Sequence, residues 1–324
     1  MIDNNRPKLL AHCILLIVAL FTFLITQDMS HAELCSNWGE GKKTGVLDHK
    51  LINEASGIES SKKFPGRLYH INDSGGGQFF YITDFSGNKT QKIAIAGEAS
   101  KKSDFEDISV GKCLDRSCLF IGDIGDNKAR KYSVEIIVVE ELEKYEGSVK
   151  PLKRIKLKYP DGPHNAEGLA VHPNGDIYIV TKEENLRDLE AYPSKVYRLS
   201  TQKWQDAANK VSTLEYVGEI DLRILAPSAT AYGQIVSAFD IAPNGKRFLL
   251  LTYENALEFN IDLSTQKIKP TEQLKKGQDY NVIELKSLPQ QESIAYLPEG
   301  NAFLYNTEHH WFQVPIMRVN CLDQ

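Results

Sequence analysis

Short apolar runs separated by polar turns recur along the chain in one fixed arrangement. It is clearest in the segments AEGLAVHPNGDIYIVTKE (166–183), SAFDIAPNGKRFLLLTYE (237–254) and QESIAYLPEGNAFLYNTE (291–308). Each segment has an apolar run, a turn with proline and glycine two residues apart, and a second apolar run. Proline and glycine at these positions favour a tight turn between two strands. The pattern therefore predicts repeated copies of one β-hairpin.

Two earlier segments follow the same pattern without the proline. They start at Ser56 and Glu106, so the chain contains five copies. Further strand-like runs such as QFFYITD, VEIIVVEE and KVYRLS lie between the copies, which gives about four strands per repeat. Such a repeat is typical of a β-propeller, whereas a β-sandwich would not explain it. We predict an all-β, five-bladed β-propeller, with six blades as the alternative because the interval between the third and fourth copies is the longest.

The last copy contains three strand-like runs instead of four. The missing strand can come from KTGVLDHKL (43–51), which precedes the first copy. A ring closed by this N-terminal strand leaves no exposed sheet edge, and exposed edges promote aggregation.

The N-terminal segment has the order of a secretory signal peptide. Arg6 and Lys8 precede the apolar run CILLIVALFTFLIT, and the small residues Ser30 and Ala32 follow it. We predict cleavage after residue 32, which leaves residues 33–324 as a single propeller domain, secreted or periplasmic and free of the membrane. The apolar run approaches the length that spans a bilayer, so an uncleaved anchor is the alternative.

Four cysteines remain in the predicted mature chain. An even number of cysteines in an exported protein favours disulfides. The stretch CLDRSC places Cys113 and Cys118 on either side of a turn, and Cys35 and Cys321 remain at the two ends of the chain. We predict both bonds, of which the second would close a very large loop and join the ends of the ring.

Charge and motifs exclude several classes of function. The 324 residues include 38 Lys and Arg and 43 Asp and Glu, a net charge of −5, and no long basic run occurs. Nucleic acid is therefore not an expected partner. Neither a Gly-x-Ser-x-Gly nor a His-Glu-x-x-His motif occurs, which argues against serine-hydrolase and zinc-protease chemistry.

The position that opens each copy carries the clearest chemical signal. In a propeller the first strand of each blade lines the central channel, so equivalent positions form a ring. These positions are Ser56, Glu106, Glu167, Ser237 and Glu292. Three carboxylates around one axis repel each other unless they are protonated or a cation lies among them, and all-oxygen ligands suit Ca²⁺. The alternative is that these side chains bind the backbone of the adjacent blade and hold no metal.

This arrangement resembles the five-bladed propellers of the calcium-activated nucleotidase (apyrase) family, which place one ligand of a central calcium on each blade as a mixture of Ser and Glu. GRLYHINDSGG (66–76) and CLFIGDIGDNKAR (118–130) resemble segments of its first two blades. The resemblance implies that the five ring positions hold calcium and that the protein hydrolyses a phosphoanhydride. At residues 72–74 this chain has Asn-Asp-Ser, where the family has acid-acid-Arg. Calcium-dependent lactonases and esterase- or phytase-like propellers are more loosely similar.

Propeller topology places the turn after each second strand on the same face as the ring. These turns are NDSGGG, GDIGDN, TKEEN, TYEN and NTEHH. Candidate catalytic residues in them are Asp73, Asp126, Asp123 and His309. Candidate substrate-binding residues are Asn127, Lys128, Arg130, Lys182, Glu183 and Glu308. Asp and Asn also occur in turns simply because they bind their own backbone.

Two functions remain open at this stage. The first is a calcium-dependent hydrolase of a phosphate ester, phosphoanhydride or lactone, with Asp73 or Asp126 as the base. The second is a non-catalytic propeller that binds a protein or small molecule and uses calcium only to lock the ring, since the fold alone does not decide function. In both cases we expect a monomer.

Overall fold

The computed structural model describes residues 34–73, 77–97, 103–185, 188, 190–207, 210–286, 288–308 and 313–323. The predicted signal peptide, residues 1–32, lies outside these ranges, so its cleavage stays a prediction. No helix within them is long and apolar enough to cross a membrane.

Five sheets, each with four principal antiparallel strands, form the five blades of the predicted propeller. The chain begins with β1 (Lys42–Val46). Blade 1 contains β2 (Ala55–Ser60), β3 (Arg67–Asn72), β4 (Phe79–Asp84) and β5 (Gln91–Ile95). Blade 2 contains β6 (Phe105–Cys113), β7 (Arg116–Asp123), β8 (Val134–Glu140) and β10 (Lys153–Lys158). Blade 3 contains β11 (Ala166–Val171), β12 (Ile177–Thr181), β15 (Ser194–Leu199) and β17 (Glu215–Ile220). Blade 4 contains β18 (Val236–Ile241), β19 (Phe248–Thr252), β20 (Asn255–Phe259) and β21 (Tyr280–Glu284). Blade 5 contains β22 (Gln291–Tyr296), β23 (Ala302–Thr307) and β24 (Pro315–Asn320), with β1 as its fourth strand.

Short elements cover the outer edges of two blades. The two-residue strands β9 (Ser148–Val149) and β16 (Ser212–Thr213) pair in parallel with β5 and β10, so blades 1 and 2 each gain a fifth strand from the next blade.

A small hairpin consists of β13 (Glu184–Asn185) and β14 (Glu190–Ala191). The described helices are α1 (Thr201–Asp206), α2 (Leu222–Leu225) and the 3₁₀ turns η1 (Tyr232–Gln234) and η2 (Thr271–Gln273).

The hydrophobic core is divided into five layers, one between each pair of neighbouring blades. Phe120 and Trp204 represent the layer between blades 2 and 3, with their ring centroids 5.5 Å apart. The first strands β2, β6, β11, β18 and β22 contact one another in succession around the central axis. Because every blade packs on two others, the core is complete only when the ring is closed.

The N-terminal strand closes the ring as predicted. β1 pairs antiparallel with β24 of blade 5. Beside this pair, a disulfide joins Cys35 to Cys321 across a sequence separation of 286 residues. The second predicted disulfide, between Cys113 and Cys118, spans the turn from β6 to β7. Both bonds constrain the unfolded chain, and the first constrains it far more because its loop is longer.

Buried carboxyl groups connect neighbouring blades along the axis. Each accepts hydrogen bonds from a backbone amide on its own strand and from one on the next blade. The bonds between blades are Val110 N to Glu59 (3.0 Å), Leu169 N to Asp107 (2.8 Å) and Tyr296 N to Asp240 (2.7 Å). Burial raises the pKa of Asp240 well above its ordinary value of 3.8, and the nearby Glu59 raises it further.

We expect Asp240→Asn to destabilise the fold because it places an amide donor against a buried backbone N–H. The cost should be about 1–3 kcal/mol. The cost should also depend on pH, because the pKa of Asp240 is higher in the folded than in the unfolded protein. Protonated Asp240 contributes its full stabilisation below pH 3.8, and this contribution is lost as pH rises through the folded-state pKa. Thermal unfolding should therefore show a larger advantage of the wild type over Asp240→Asn in acid than in mild alkali. The exposed Asp206→Asn variant is the control, and an advantage that does not vary with pH would contradict the assignment.

Candidate cation site at the channel mouth

Every first strand has a β-bulge at its second residue. At that point the pairing between the first and second strands of each blade shifts register. The bulged residues, which we call the mouth ring, are Ser56, Glu106, Glu167, Ser237 and Glu292. A bulge re-aims a side chain, so five equivalent bulges turn five equivalent side chains in the same way. The register predicted from the sequence repeat thus holds in all five blades.

The residue after each second strand is also equivalent from blade to blade, because the last residue of that strand pairs with the first residue of the first strand. We call these residues the outer ring: Asp73, Ile124, Lys182, Tyr253 and Glu308. Four of the five carry polar side chains. The mouth of the channel therefore consists of two rings, both contributed by the same hairpin of each blade.

The two serines of the mouth ring connect blades. Ser56 Oγ donates to the backbone oxygen of Glu106 at 2.7 Å, and Ser237 Oγ donates to that of Gln291 at 2.8 Å. Hydrogen bonding to the backbone of the adjacent blade was the alternative role predicted for the ring. The two serines have this role, because each uses its hydroxyl proton in such a bond.

The three glutamates of the mouth ring are buried, with 3–7% of each residue exposed. Burial raises the pKa of Glu106 well above its ordinary range, and nearby carboxyl groups, Glu167 first, raise it further. Burial also raises the pKa of Glu292, and the charges of Glu308 and Glu167 raise it further. The Glu167 carboxyl group is thus one of the groups that disfavour ionisation of Glu106. Negative charge at the mouth thus carries a free-energy cost that a proton or cation relieves.

One ammonium group already lies within the rings. Lys182 Nζ is 3.1 Å from Glu167 Oε1 and 2.7 Å from the hydroxyl oxygen of Tyr253. That hydroxyl in turn donates to Glu292 Oε1 at 3.2 Å. Burial lowers the pKa of Lys182, but Glu167 and Tyr253 raise it by more, so the net shift is upward and the lysine is charged. Lys182 therefore compensates the side of the mouth formed by blades 3 to 5.

The opposite side of the mouth holds a cluster of three carboxylates. One oxygen each from Asp73, Asp104 and Glu106 lies within 4.8 Å of the other two. Asp73 and Glu106 belong to the outer and mouth rings, and Asp104 comes from the segment that leads into β6. The hydroxyl of Ser56 is 3.5 Å from Glu106 Oε2. Carboxylate and hydroxyl oxygens are the ligands that Ca²⁺ prefers.

The backbone leaves room for this cluster at Gly125. A Cβ atom there would lie 1.9 Å from Glu106 Oε1 and 2.8 Å from the carboxyl carbon of Asp104, so any larger residue would displace these carboxyl groups. One cation lies alongside: Lys131 Nζ is 2.9 Å from Asp104 Oδ2 and also donates to the Gly125 oxygen. The donor set fits a hard divalent ion.

Two candidate catalytic aspartates shape the loop beside this cluster. Asp123 Oδ1 accepts from the Asp104 amide at 3.0 Å, and burial raises its pKa. Asp126 Oδ2 accepts from the amides of Arg130 and Lys131, each at 2.5 Å. These bonds are the turn-forming role that aspartate often has.

The remaining candidates lie at different distances from the rings. Asn127, Lys128 and Arg130 are exposed on the loop after β7. Glu308 interacts with Glu292 and accepts from the Gln290 amide nitrogen at 3.2 Å. His309 lies outside the described residues.

A charged network centred on His164 was not predicted from the sequence. Its Nδ1 is 2.7 Å from Glu183, and its Nε2 is 3.2 Å from Asp161 and 3.1 Å from the Tyr197 hydroxyl. Lys195 is 2.7 Å from Asp161. Burial lowers the pKa of His164, but the hydrogen bond and charge of Glu183 outweigh it, so the pKa lies above its ordinary value of 6.5. This network fixes the segment before β11, which also places Glu167.

Comparisons with known proteins add little to the fold and site. No family model and no curated protein matches the sequence. A solved chain from a nidogen/laminin complex is similar at 13% identity and TM-score 0.43, covering 78% of this chain and 72% of that one. Hydrazine synthase of Kuenenia stuttgartiensis is similar at 15% identity and TM-score 0.40, covering 87% of this chain and 61% of that one. The Pan2 WD40 domain of Neurospora crassa is similar at 10% identity and TM-score 0.34, covering 83% of this chain and 64% of that one. The chain thus spans less than two thirds of the latter two. At these scores the likenesses carry no argument, and the class, a five-bladed β-propeller with an acidic channel mouth, rests on the strand pairing above.

Lys182→Met should destabilise the protein by about 3 kcal/mol, because it leaves the buried Glu167 carboxylate without its cation. Lys195→Met is the matched control, since Lys195 pairs with a partly exposed aspartate, 38% exposed, and should cost at most about 1 kcal/mol. Chemical denaturation of both variants measures the difference. Equal costs would show that the Lys182 pair is no more important than a surface ion pair.

The His164 imidazole should titrate above 6.5 in the folded protein. Its contribution to stability is then fully present below that ordinary value and is lost as pH rises through the folded-state pKa. The measurement is an NMR titration of the ring protons, with Glu183→Gln as the variant that should lower the midpoint. A wild-type midpoint at or below 6.5 would contradict the carboxylate contacts.

Proposed function

We propose that this protein is an exported, calcium-binding β-propeller whose cation is held by Asp73, Asp104 and Glu106. The observation that carries the proposal is the approach of their three carboxylate oxygens to within 4.8 Å. The proposed ligand set is narrower than the five positions expected from the repeat. Elsewhere in the mouth ring the serine hydroxyl protons bind backbone, and Lys182 and Tyr253 bind the other two glutamates.

Charge balance supports a divalent ion at this position. Among the residues that the structure describes, the ammonium of Lys131 pairs with Asp104 of these three carboxylates, which leaves an excess of negative charge in a partly buried volume. The raised pKa of Glu106 reports the same excess. Ca²⁺ would offset both the burial and the repulsion, as protons do in its place.

We further propose that the bound ion serves hydrolysis of a phosphate ester, phosphoanhydride or lactone. A bound calcium polarises a substrate oxygen and orients water. Asp126 is the weaker candidate for the base, because its carboxylate is engaged by two backbone amides, and Asp73 is preferred because it lies at the proposed ion. Lys131 lies beside the cluster, and the exposed Lys128 and Arg130 precede it on the same loop, where they could neutralise an anionic substrate.

A non-catalytic binding propeller is the second candidate function. The network of Lys182, Glu167, Tyr253 and Glu292 favours it, because these buried groups satisfy one another and so stabilise the ring without any substrate. In that case the ion would lock blades 1 and 2 together, and the ligand would be a protein or small molecule.

Calorimetric titration of the mature chain, from Glu33 onward, tests the cation site. Ca²⁺ should bind once per chain after treatment with chelator. Asp73→Asn and Glu106→Gln should each weaken binding by about tenfold or more, because each removes one charged ligand. Glu272→Gln, an exposed carboxylate in η2, should leave it unchanged. Equal affinity in all four proteins would contradict the site.

Turnover separates the two functions. Nucleotides, simple phosphate esters and lactones are offered with calcium and then with chelator. Hydrolysis that is lost with chelator and in Asp73→Asn establishes the hydrolase. Calcium binding that raises the melting temperature, without turnover of any substrate, establishes the binding propeller instead.

A further inference from the structure

A second depression opens at the end of the channel opposite to the mouth. It has a volume of about 270 Å³ and is lined by residues that follow the first strands, including Lys62 after β2, Lys112 at the end of β6 and His172 after β11. The first strands all run from the mouth ring to this end, so the two openings lie at opposite ends of one axis.

Basic side chains dominate this depression. Lys62, Lys112 and Arg116 line it, and its lining includes no carboxylate. Arg116 pairs with Glu140 at 2.8 Å on the outer side. Lys62 and Lys112 are exposed. Within the described ranges, no carboxylate oxygen lies within 4.0 Å of either ammonium nitrogen. Two ammonium groups therefore face one opening outside any ion pair, although the charge of Lys62 also lowers the pKa of the buried Glu59 and Asp240.

The other polar groups nearby are already engaged. Glu59 and Asp240 lie below the depression, and their carboxylates accept backbone amides of blades 2 and 5. Burial raises the pKa of both, and the charge of Lys62 offsets part of this rise. His172 holds its own turn: Nδ1 accepts from the Asn174 amide and Nε2 contacts the Gly245 oxygen, each at 3.2 Å.

Lys62, Lys112 and Arg116 thus give the surface of this depression positive charge. We propose that the depression formed by Lys62, Lys112 and Arg116 binds the oxyanion of a phosphorylated or sulfated small molecule. Two ammonium groups and a guanidinium supply several charged donors, and phosphate and sulfate oxygens accept such donors strongly. The volume exceeds that of the oxyanion alone, so a small group attached to it can also enter. The site is independent of calcium.

Inorganic phosphate and sulfate are the probes. Each is titrated into the mature chain in the presence of chelator, so that no ion at the mouth can bind the anion. We expect saturable binding that weakens as salt is raised, and at least a tenfold weaker affinity in the Lys62→Gln/Lys112→Gln double variant. The control is Lys42→Gln/Lys156→Gln, which removes the same charge from exposed positions on the outer strands β1 and β10.

The variants should unfold at the wild-type temperature, because all four lysines are exposed. Weakening confined to the double variant at the depression supports the proposal. Equal weakening in both double variants would reduce the effect to net charge and overturn it, as would the absence of saturable binding in the wild type. Comparison of glucose 6-phosphate with glucose 6-sulfate then distinguishes a phosphorylated ligand from a sulfated one.

Discussion

Five strands converge on one axis, and the charge that this convergence forces together is the constraint on which the rest of the molecule depends. Each first strand bulges at its second residue, so Glu106, Glu167 and Glu292 enter one small, buried volume. Like charges at such separations cannot all remain ionised without compensation. This negative charge is compensated differently on the two sides of the mouth. On one side Lys182 forms an ion pair with Glu167, and on the other the carboxylate cluster is suited to a divalent ion.

The same axis is stabilised differently below the mouth. There Glu59, Asp107 and Asp240 bind backbone amides of neighbouring blades, and these bonds fix the relative positions of the first strands. Packing between blades supplies the apolar layers, and the disulfide from Cys35 to Cys321 holds the closing strand in place. Rigid strands with polar ends are well suited to carry a site, because the loops at each end can vary while the ring stays fixed.

Much of this could be predicted from the sequence, for reasons that the structure makes plain. The hairpin repeat is a local pattern, so it predicted the blades, the closing strand β1 and the ring positions. Asp104 was missed because it lies outside the repeated hairpin, in a lead-in segment that only one blade uses for the site. The contact of Lys182 with Tyr253 was missed because it joins equivalent positions of different blades, and that distance depends on the whole ring. The added strands β9 and β16 are two residues long, too short for any period to show.

The central claim is that a divalent cation binds off the axis, between blades 1 and 2. Crystals of the mature chain grown with calcium, and then with a lanthanide for stronger anomalous scattering, locate the ion directly. The account predicts one anomalous peak at about 2.3–2.6 Å from carboxylate oxygens of Asp73, Asp104 and Glu106. A peak on the axis among Glu167 and Glu292, with Lys182 displaced, would contradict it, and so would the absence of any peak at the mouth.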